Sequence, residues 1–220
     1  SAFVNCVSLK KIVIPNSVTR IGSGAFSGAT RLLEIQISKY VTEIGNNPFT
    51  NASSLSSIVV DPDNPRYHSD GNCLIETNTK TLISGCRNSI IPADGTVTII
   101  GKSAFYSVLK GTSIVLPNTI IRIESSAFER NYSLTSITLS KNLEYIGEWA
   151  FSNTQIYNFT IPASVKYISS NALTYRVKSV TFENPNGWYK ANDEKGTGKV
   201  AININSLTPS QIQDSYLFHD

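Results

Sequence analysis

Few residues of this 220-residue chain could make or break bonds. There are two histidines, His68 and His219, and the second is next to the C-terminus. Acid–base or nucleophilic catalysis needs a nucleophile, a base and an orienting group at fixed spacing. No G-x-S-x-G, H-E-x-x-H, P-loop or G-x-G-x-x-G arrangement supplies one. Asp and Glu occur singly on the coil surfaces, so the carboxylate pair of a glycosidase is conceivable in principle only. Cys6, Cys73 and Cys86 form neither a C-x-x-C nor a Cys/His metal spacing. Asp61, Asp63, Asp70, Asn64 and Asn72 have the composition of a calcium loop. They lack its order and its distal glutamate, and turn chemistry accounts for them. The expectation is a protein without catalytic residues, cofactor or metal, whose chemistry is that of binding.

Composition narrows the partner. Hydrophobic residues make up 40% of the chain, enough for a core, whereas charged residues make up only 16%. The net charge of +3 comes from scattered Lys and Arg, without the clustered basic footprint that nucleic acid demands. No apolar run is long enough to cross a membrane, so this segment is expected not to insert. Ser1-Ala2-Phe3 has neither the basic nor the apolar region of a signal peptide.

The elements that must position any binding residues follow from a repeat. Ala25-Phe26, Ala104-Phe105, Ala127-Phe128 and Ala150-Phe151 share a phase with Phe49 and Leu173, in steps of 23, 56, 23, 23 and 22. About twelve residues before each lies an alternating stretch such as Ile12-Val13-Ile14 or Ile137-Thr138-Leu139, the signature of a strand with one buried face. A third marker is Val18-x-x-Ile21, repeated as Val41-x-x-Ile44, Val97-x-x-Ile100, Ile120-x-x-Ile123, Leu143-x-x-Ile146 and Val165-x-x-Ile168. One such unit cannot close a core, so units must stack. Phe3 lies one period before Phe26, so the chain is expected to begin mid-coil, as a fragment or mature part of a larger protein.

The long step holds an insertion, placed at about 61–87. Cys73-Leu74-Ile75 and Thr81-Leu82-Ile83 read as a hairpin around an exposed Thr77-Asn78-Thr79-Lys80. A turn centred on Asn78-Thr79 sets Cys73 opposite Ser84 and Cys86 diagonal to it, which leaves a Cys73–Cys86 disulfide open but unfavoured. After Phe182 the period lapses. Residues 184–199 read as a loop around Trp188, Val200 to Ile204 as a last strand, and Gln211 to Leu217 as a capped helical turn entered through Pro209.

Two outward rows are the candidate binding surfaces. Along the first strands, Ser113, Ser136, Thr138, Asn158 and Thr160 alternate with core residues, a flat hydroxyl-rich ledge whose bland alternative is strand propensity and solubility alone. Along the Val-x-x-Ile segments, Arg20, Glu43, Ile99, Arg122, Tyr145 and Tyr167 share one phase. Arg122, Tyr145 and Tyr167 are the residue types of interface hot spots, unless the tyrosines merely stack for stability.

The unit Leu9-x-x-Ile12-x-Ile14-Pro15-x-Ser17-Val18-x-x-Ile21-Gly22-x-x-Ala25-Phe26 resembles the BspA-like class of bacterial leucine-rich repeats. Cys6 falls at that family's cysteine position, and Asn64-Pro65-x-Tyr67, Asp70-Gly71 and Thr81-Leu82-Ile83 are similar to its variant coil. The resemblance covers roughly residues 2–190. It implies a β-rich right-handed solenoid of about eight leucine-rich coils over 1–183, with a C-terminal capping segment over 184–220. It also implies an extracellular or cell-surface bacterial protein. The expected role is adhesion or recognition of a protein or glycan of host matrix or of another cell, by a monomer. The alternative is a spacer or stalk within a larger surface protein. Fold alone does not separate these.

Overall fold

Each 23-residue unit lays down two short strands and one tight turn, and all three stack on the next unit. In the computed structural model, which describes residues 2–219, about seven turns form, close to the eight that the period suggests. Ser1 and Asp220, the outermost positions of the two expected segments, lie outside the described residues. The first strands of the initial coils, Lys11–Val13, Glu34–Ile37 and Ser57–Val60, pair in parallel with Ile12, Ile35 and Ile58 in register. Later coils pair Ser113–Val115 with Ser136–Thr138, and Asn158–Ile161 with Ser179–Phe182. The second strands have two residues each, because the Val-x-x-Ile segment supplies only one outward and one inward position. Ile99–Ile100, Arg122–Ile123, Tyr145–Ile146 and Tyr167–Ile168 are parallel and in register.

The Ala-Phe turn is bracketed by two residues in the left-handed region. Ser126 and Arg130 flank Ala127-Phe128, and Trp149 and Asn153 flank Ala150-Phe151, with φ between 54° and 58°. That conformation costs an L-residue roughly 1–2 kcal/mol, yet it bends the chain sharply enough to turn both Ala and Phe inward. The Phe105, Phe128 and Phe151 amides each donate to the alanine carbonyl of the next coil at 2.8 Å. Their rings stack at 5.4 and 5.5 Å. The buried Asn131 staples this turn. Its amide donates to the Phe105 and Phe128 carbonyls, and its carbonyl accepts from the Leu109 amide.

The insertion is a three-stranded antiparallel meander rather than a two-stranded hairpin: Tyr67–Asp70, Cys73–Glu76 and Thr81–Ser84. A bulge between Leu74 and Ile75 shifts the register by one, so Leu74, not Cys73, faces Ser84. Both Cys73 and Cys86 are free and buried. The meander also divides the core. Tyr67, Leu74 and Cys86 pack with the coils before it, and Cys73, Ile75 and Leu82 with those after it. Buried Asn64 fastens it to the first array. Its amide donates to the Ser38 and Val41 carbonyls, and its carbonyl accepts from the Arg66 and Tyr67 amides. At its far side Gly85 lies beneath Phe105, where a Cβ would fall 2.0 Å from the ring.

The C-terminal segment differs from its sequence reading in four places. Trp188–Ala191 is a strand, not loop; the strand at Val200 stops at Ala201; and the helix spans Pro209–Gln213. Thr208 and Gln211 close that helix's capping box. Tyr216–His219, read as the end of a helical turn, is instead a strand pairing antiparallel with both Tyr167–Ile168 and Trp188–Ala191. Its Tyr-Leu-Phe-His alternation buries Leu217 completely. The second strands, the meander and these strands thus form one ten-stranded sheet.

Candidate functional site

This ten-stranded sheet carries two rows, one residue per strand. Inside lie Ile75, Leu82, Ile100, Ile123, Ile146, Ile168 and Leu217, each no more than 1% exposed. Outside, the neighbouring positions run Glu76, Thr81, Ile99, Arg122, Tyr145, Tyr167, Phe218 and Tyr189. Alternation fixes the pairing: each inward Ile sets the residue before it outward.

At the centre of the outer row the side chains stack. The Arg122 guanidinium sits 4.0 Å from the Tyr145 ring centre, and its Nε donates to Glu124 at 3.0 Å. Tyr145 stacks on Tyr167 at 4.9 Å and 16°. Phe218 meets Tyr167 edge-on at 4.8 Å, and Lys199 lies 4.6 Å from the Phe218 centroid. Contacts of this kind add roughly 0.5–1.5 kcal/mol each beyond burial. The stack therefore holds its shape without a ligand.

Tyr167 is the correction here. It shares the phase of Tyr145 as expected, but Phe218 covers it and only 9% is exposed. Burial pushes its phenol up to about 12, a rise that Ser169 tempers. Burial likewise raises the Tyr145 phenol, with Glu124 adding to the rise and Arg122 opposing it. Tyr145, Tyr167, Phe218, Glu194 and Lys195 line a shallow cleft of about 340 Å³ between the last coil and the cap. The sequence reading missed Phe218, Glu194 and Lys195. The alternating Tyr216-Leu217-Phe218-His219 was the available signal for the first.

Ser113, Ser136, Thr138, Asn158 and Thr160 are all exposed on the first strands, which here form two separate two-stranded sheets. Ser113 faces Ser136 across one ladder, while Asn158 and Thr160 belong to the next, where Ser179 donates to Asn158 at 2.7 Å. The eight candidate residues thus form two surfaces on separate sheets rather than one site. In the first coils the same ledge is charged. Lys11 pairs with Glu34 at 2.9 Å, and the hydrogen bond from Gln36, with Lys11 beside it, holds the Glu34 carboxyl below its ordinary range.

The residues weighed for chemistry are occupied structurally. Asp61 accepts from the Asp63 amide in a turn, Asp63 pairs with Lys39, and His68 bonds Thr77. Cys6 is half-buried rather than buried, and burial pushes the Cys73 thiol up to about 12. Among the described residues no group of three His, Cys, Asp or Glu side chains could hold a metal ion, and no helix is long and apolar enough to cross a membrane.

Comparison with known proteins agrees with this geometry. The family described as "BspA type Leucine rich repeat region" matches residues 1–83 and 74–181, in six copies. No curated protein matches the chain. Among solved structures, the pneumococcal vaccine antigen PcpA aligns over 82% of this chain and 52% of its own, at 22% identity and a TM-score of 0.66. A leucine-rich cell surface protein from Faecalibacterium prausnitzii aligns over 84% and 62%, at 21% identity and 0.61. A leucine-rich repeat protein from Eubacterium ventriosum aligns over 79% and 42%, at 23% identity and 0.56. The chain spans roughly two fifths to three fifths of these structures, and at such identity the likeness is one of fold.

Proposed function

The chain belongs to the BspA-type leucine-rich repeat family, and from that premise we propose that it is a non-catalytic recognition module of a bacterial cell-surface or secreted protein. Its partner is a protein or glycan of host matrix or of another cell, engaged by a monomer. The observation that carries this reading is the outer row of the ten-stranded sheet. There Arg122 and Tyr145 are held in register by the backbone ladder and clamped by their neighbours. A surface ordered in advance loses little entropy on binding, so a few contacts suffice for a weak, specific association. Arg and Tyr dominate interface hot spots because they combine large contact area with polar tips.

The test is biolayer interferometry of the purified chain against fibronectin, fibrinogen, laminin, collagen and mucin. Saturable binding to at least one is expected, falling about tenfold or more in Arg122→Glu, which reverses one hot-spot charge. The first-sheet ledge is probed separately by Thr138→Lys. Loss only in that variant would move the contact face to Ser113, Ser136, Thr138, Asn158 and Thr160. Tolerance of both substitutions is the behaviour of a spacer and would defeat the proposal.

A further inference from the structure

We propose that the exposed indole of Trp149 receives a lysine or arginine side chain of a protein partner. This rests on the recognition reading above and narrows its partner to a protein with exposed cations.

The position of Trp149 is an unfavourable one for a large side chain. Two residues before the buried Phe of each turn, or before Leu173 in the last, the backbone takes a left-handed conformation. The other coils fill that position with Gly24, Asn47, Ser103, Ser126 and Asn171. Gly and Asn tolerate a positive φ, and a bulky residue there is an outlier. Trp149 adopts it at φ 54°, and 48% of the residue is left in solvent. Strain of this kind persists only where the surrounding structure imposes it, and it clusters at sites of function.

What the indole lacks points to its ligand. Seven tyrosines of this chain each have a Lys or Arg within 4.0–5.8 Å of the ring centre. Even on the surface the habit holds, with Lys39 over exposed Tyr40 and Arg176 over exposed Tyr175. Trp149 has neither a cation nor a ring against it among the described residues. Indole is the aromatic group that attracts a cation most strongly, and the other tryptophan, Trp188, is buried against Phe182 and His219. The strongest such acceptor on the surface is thus the one the chain leaves open. Glu148 precedes it, partly exposed and without an ion pair among the described residues. A carboxylate there favours an arriving cation and disfavours an anion.

The place also extends a surface already described. Trp149 follows Tyr145 by four residues, so the two lie within about 14 Å of each other along the chain. That is inside the footprint of one protein partner of ordinary size. A partner seated on Arg122 and Tyr145 reaches Trp149 without a second site.

The experiment is a ¹H–¹⁵N NMR titration of the whole chain with an acetylated, amidated tetra-arginine peptide and with its tetra-citrulline counterpart, which keeps the shape and removes the charge. Saturable shifts at the Trp149 indole N–H and the Glu148 and Ala150 amides are expected with tetra-arginine alone, at millimolar affinity. Trp149→Asn installs the residue type that Asn47 and Asn171 supply in other coils. Affinity read at Glu148 and Ala150 should then fall about two- to fivefold, the worth of one exposed cation–aromatic contact. The melting temperature should stay equal or rise, because the strain is relieved. No saturable shift, equal shifts with tetra-citrulline, or unchanged affinity in Trp149→Asn would overturn the inference. So would a melting temperature several degrees lower, since Trp149 would then be a packing residue. The two proposals fail separately. Matrix-protein binding that survives Trp149→Asn sinks only this one, whereas absence of any binding to the matrix panel sinks the recognition reading.

Discussion

The array before the meander and the array after it use the same repeat but finish it differently. In the first, the second-strand ladder has two members, Arg20–Ile21 and Glu43–Ile44, and its next rung is the Tyr67 hydroxyl, which accepts from the Ile44 amide at 3.0 Å. Its outward rungs are ion pairs, Lys11–Glu34, Arg20–Glu43 and Lys39–Asp63. In the second array the ladder runs unbroken into the cap, and the outward rungs include a cation–aromatic stack. The inner rows of the two hardly differ, because a close-packed core tolerates little change. Exposed ion pairs contribute about 0–1 kcal/mol, so they keep the first array soluble without building a surface, whereas clamped aromatics build one. The outer row, not the inner one, is therefore where the two arrays differ.

Three perturbations measure how separate the arrays are. Phe128 is fully buried between two stacked rings, and Phe128→Ala should cost about 3–5 kcal/mol. Phe3, half-buried and stacked on Phe26, should cost only about 1–2 kcal/mol when cut to Ala. Equal losses in urea unfolding would erase the distinction between the two ring stacks. Next come the two buried asparagines. Asn64→Ala strands four backbone groups and should cost about 3 kcal/mol, against about 2 for Asn131→Ala, which strands three. Hydrogen exchange should then show Asn64→Ala releasing amides of the first array alone. Release of both arrays together would mean that they unfold as one unit. The smallest effect is at the join. Gly85→Ala drives a methyl into Phe105 and should cost about 1–3 kcal/mol. Gly22→Ala, where nothing lies within 4 Å, should leave the urea midpoint nearly unchanged.

The coils were legible because their information is local. Ile12-Val13-Ile14 states its buried face by alternation, and Val18-x-x-Ile21 states its phase by spacing. Where burial depends on distant chain, reading by pattern failed. Tyr67–Asp70 joined the meander although Tyr-His-Ser-Asp has no strand-like apolar alternation; Asn64, and the Ser69 hydroxyl that accepts from the Val60 amide, fix it there. Tyr167 looked exposed because the residue that covers it, Phe218, arrives from the far end of the sequence. The cap strands lie past the last repeat, where no period remains to give a phase. The rows of Arg122, Tyr145 and Tyr167, and of Ser113 and Ser136, were legible as rows. Whether either touches a partner is not written in periodicity.

The meander's bulge has a consequence for how such a gene can change. Within either array only a whole-repeat duplication or deletion keeps every rung in phase, since a shift of one residue turns the inner row outward. The meander obeys no such arithmetic: it already absorbs one extra residue, Ile83, opposite the Leu74–Ile75 step and passes the next strand on in register. Insertions there change the length of the protein and leave the surface built around Arg122 and Tyr145 as it was.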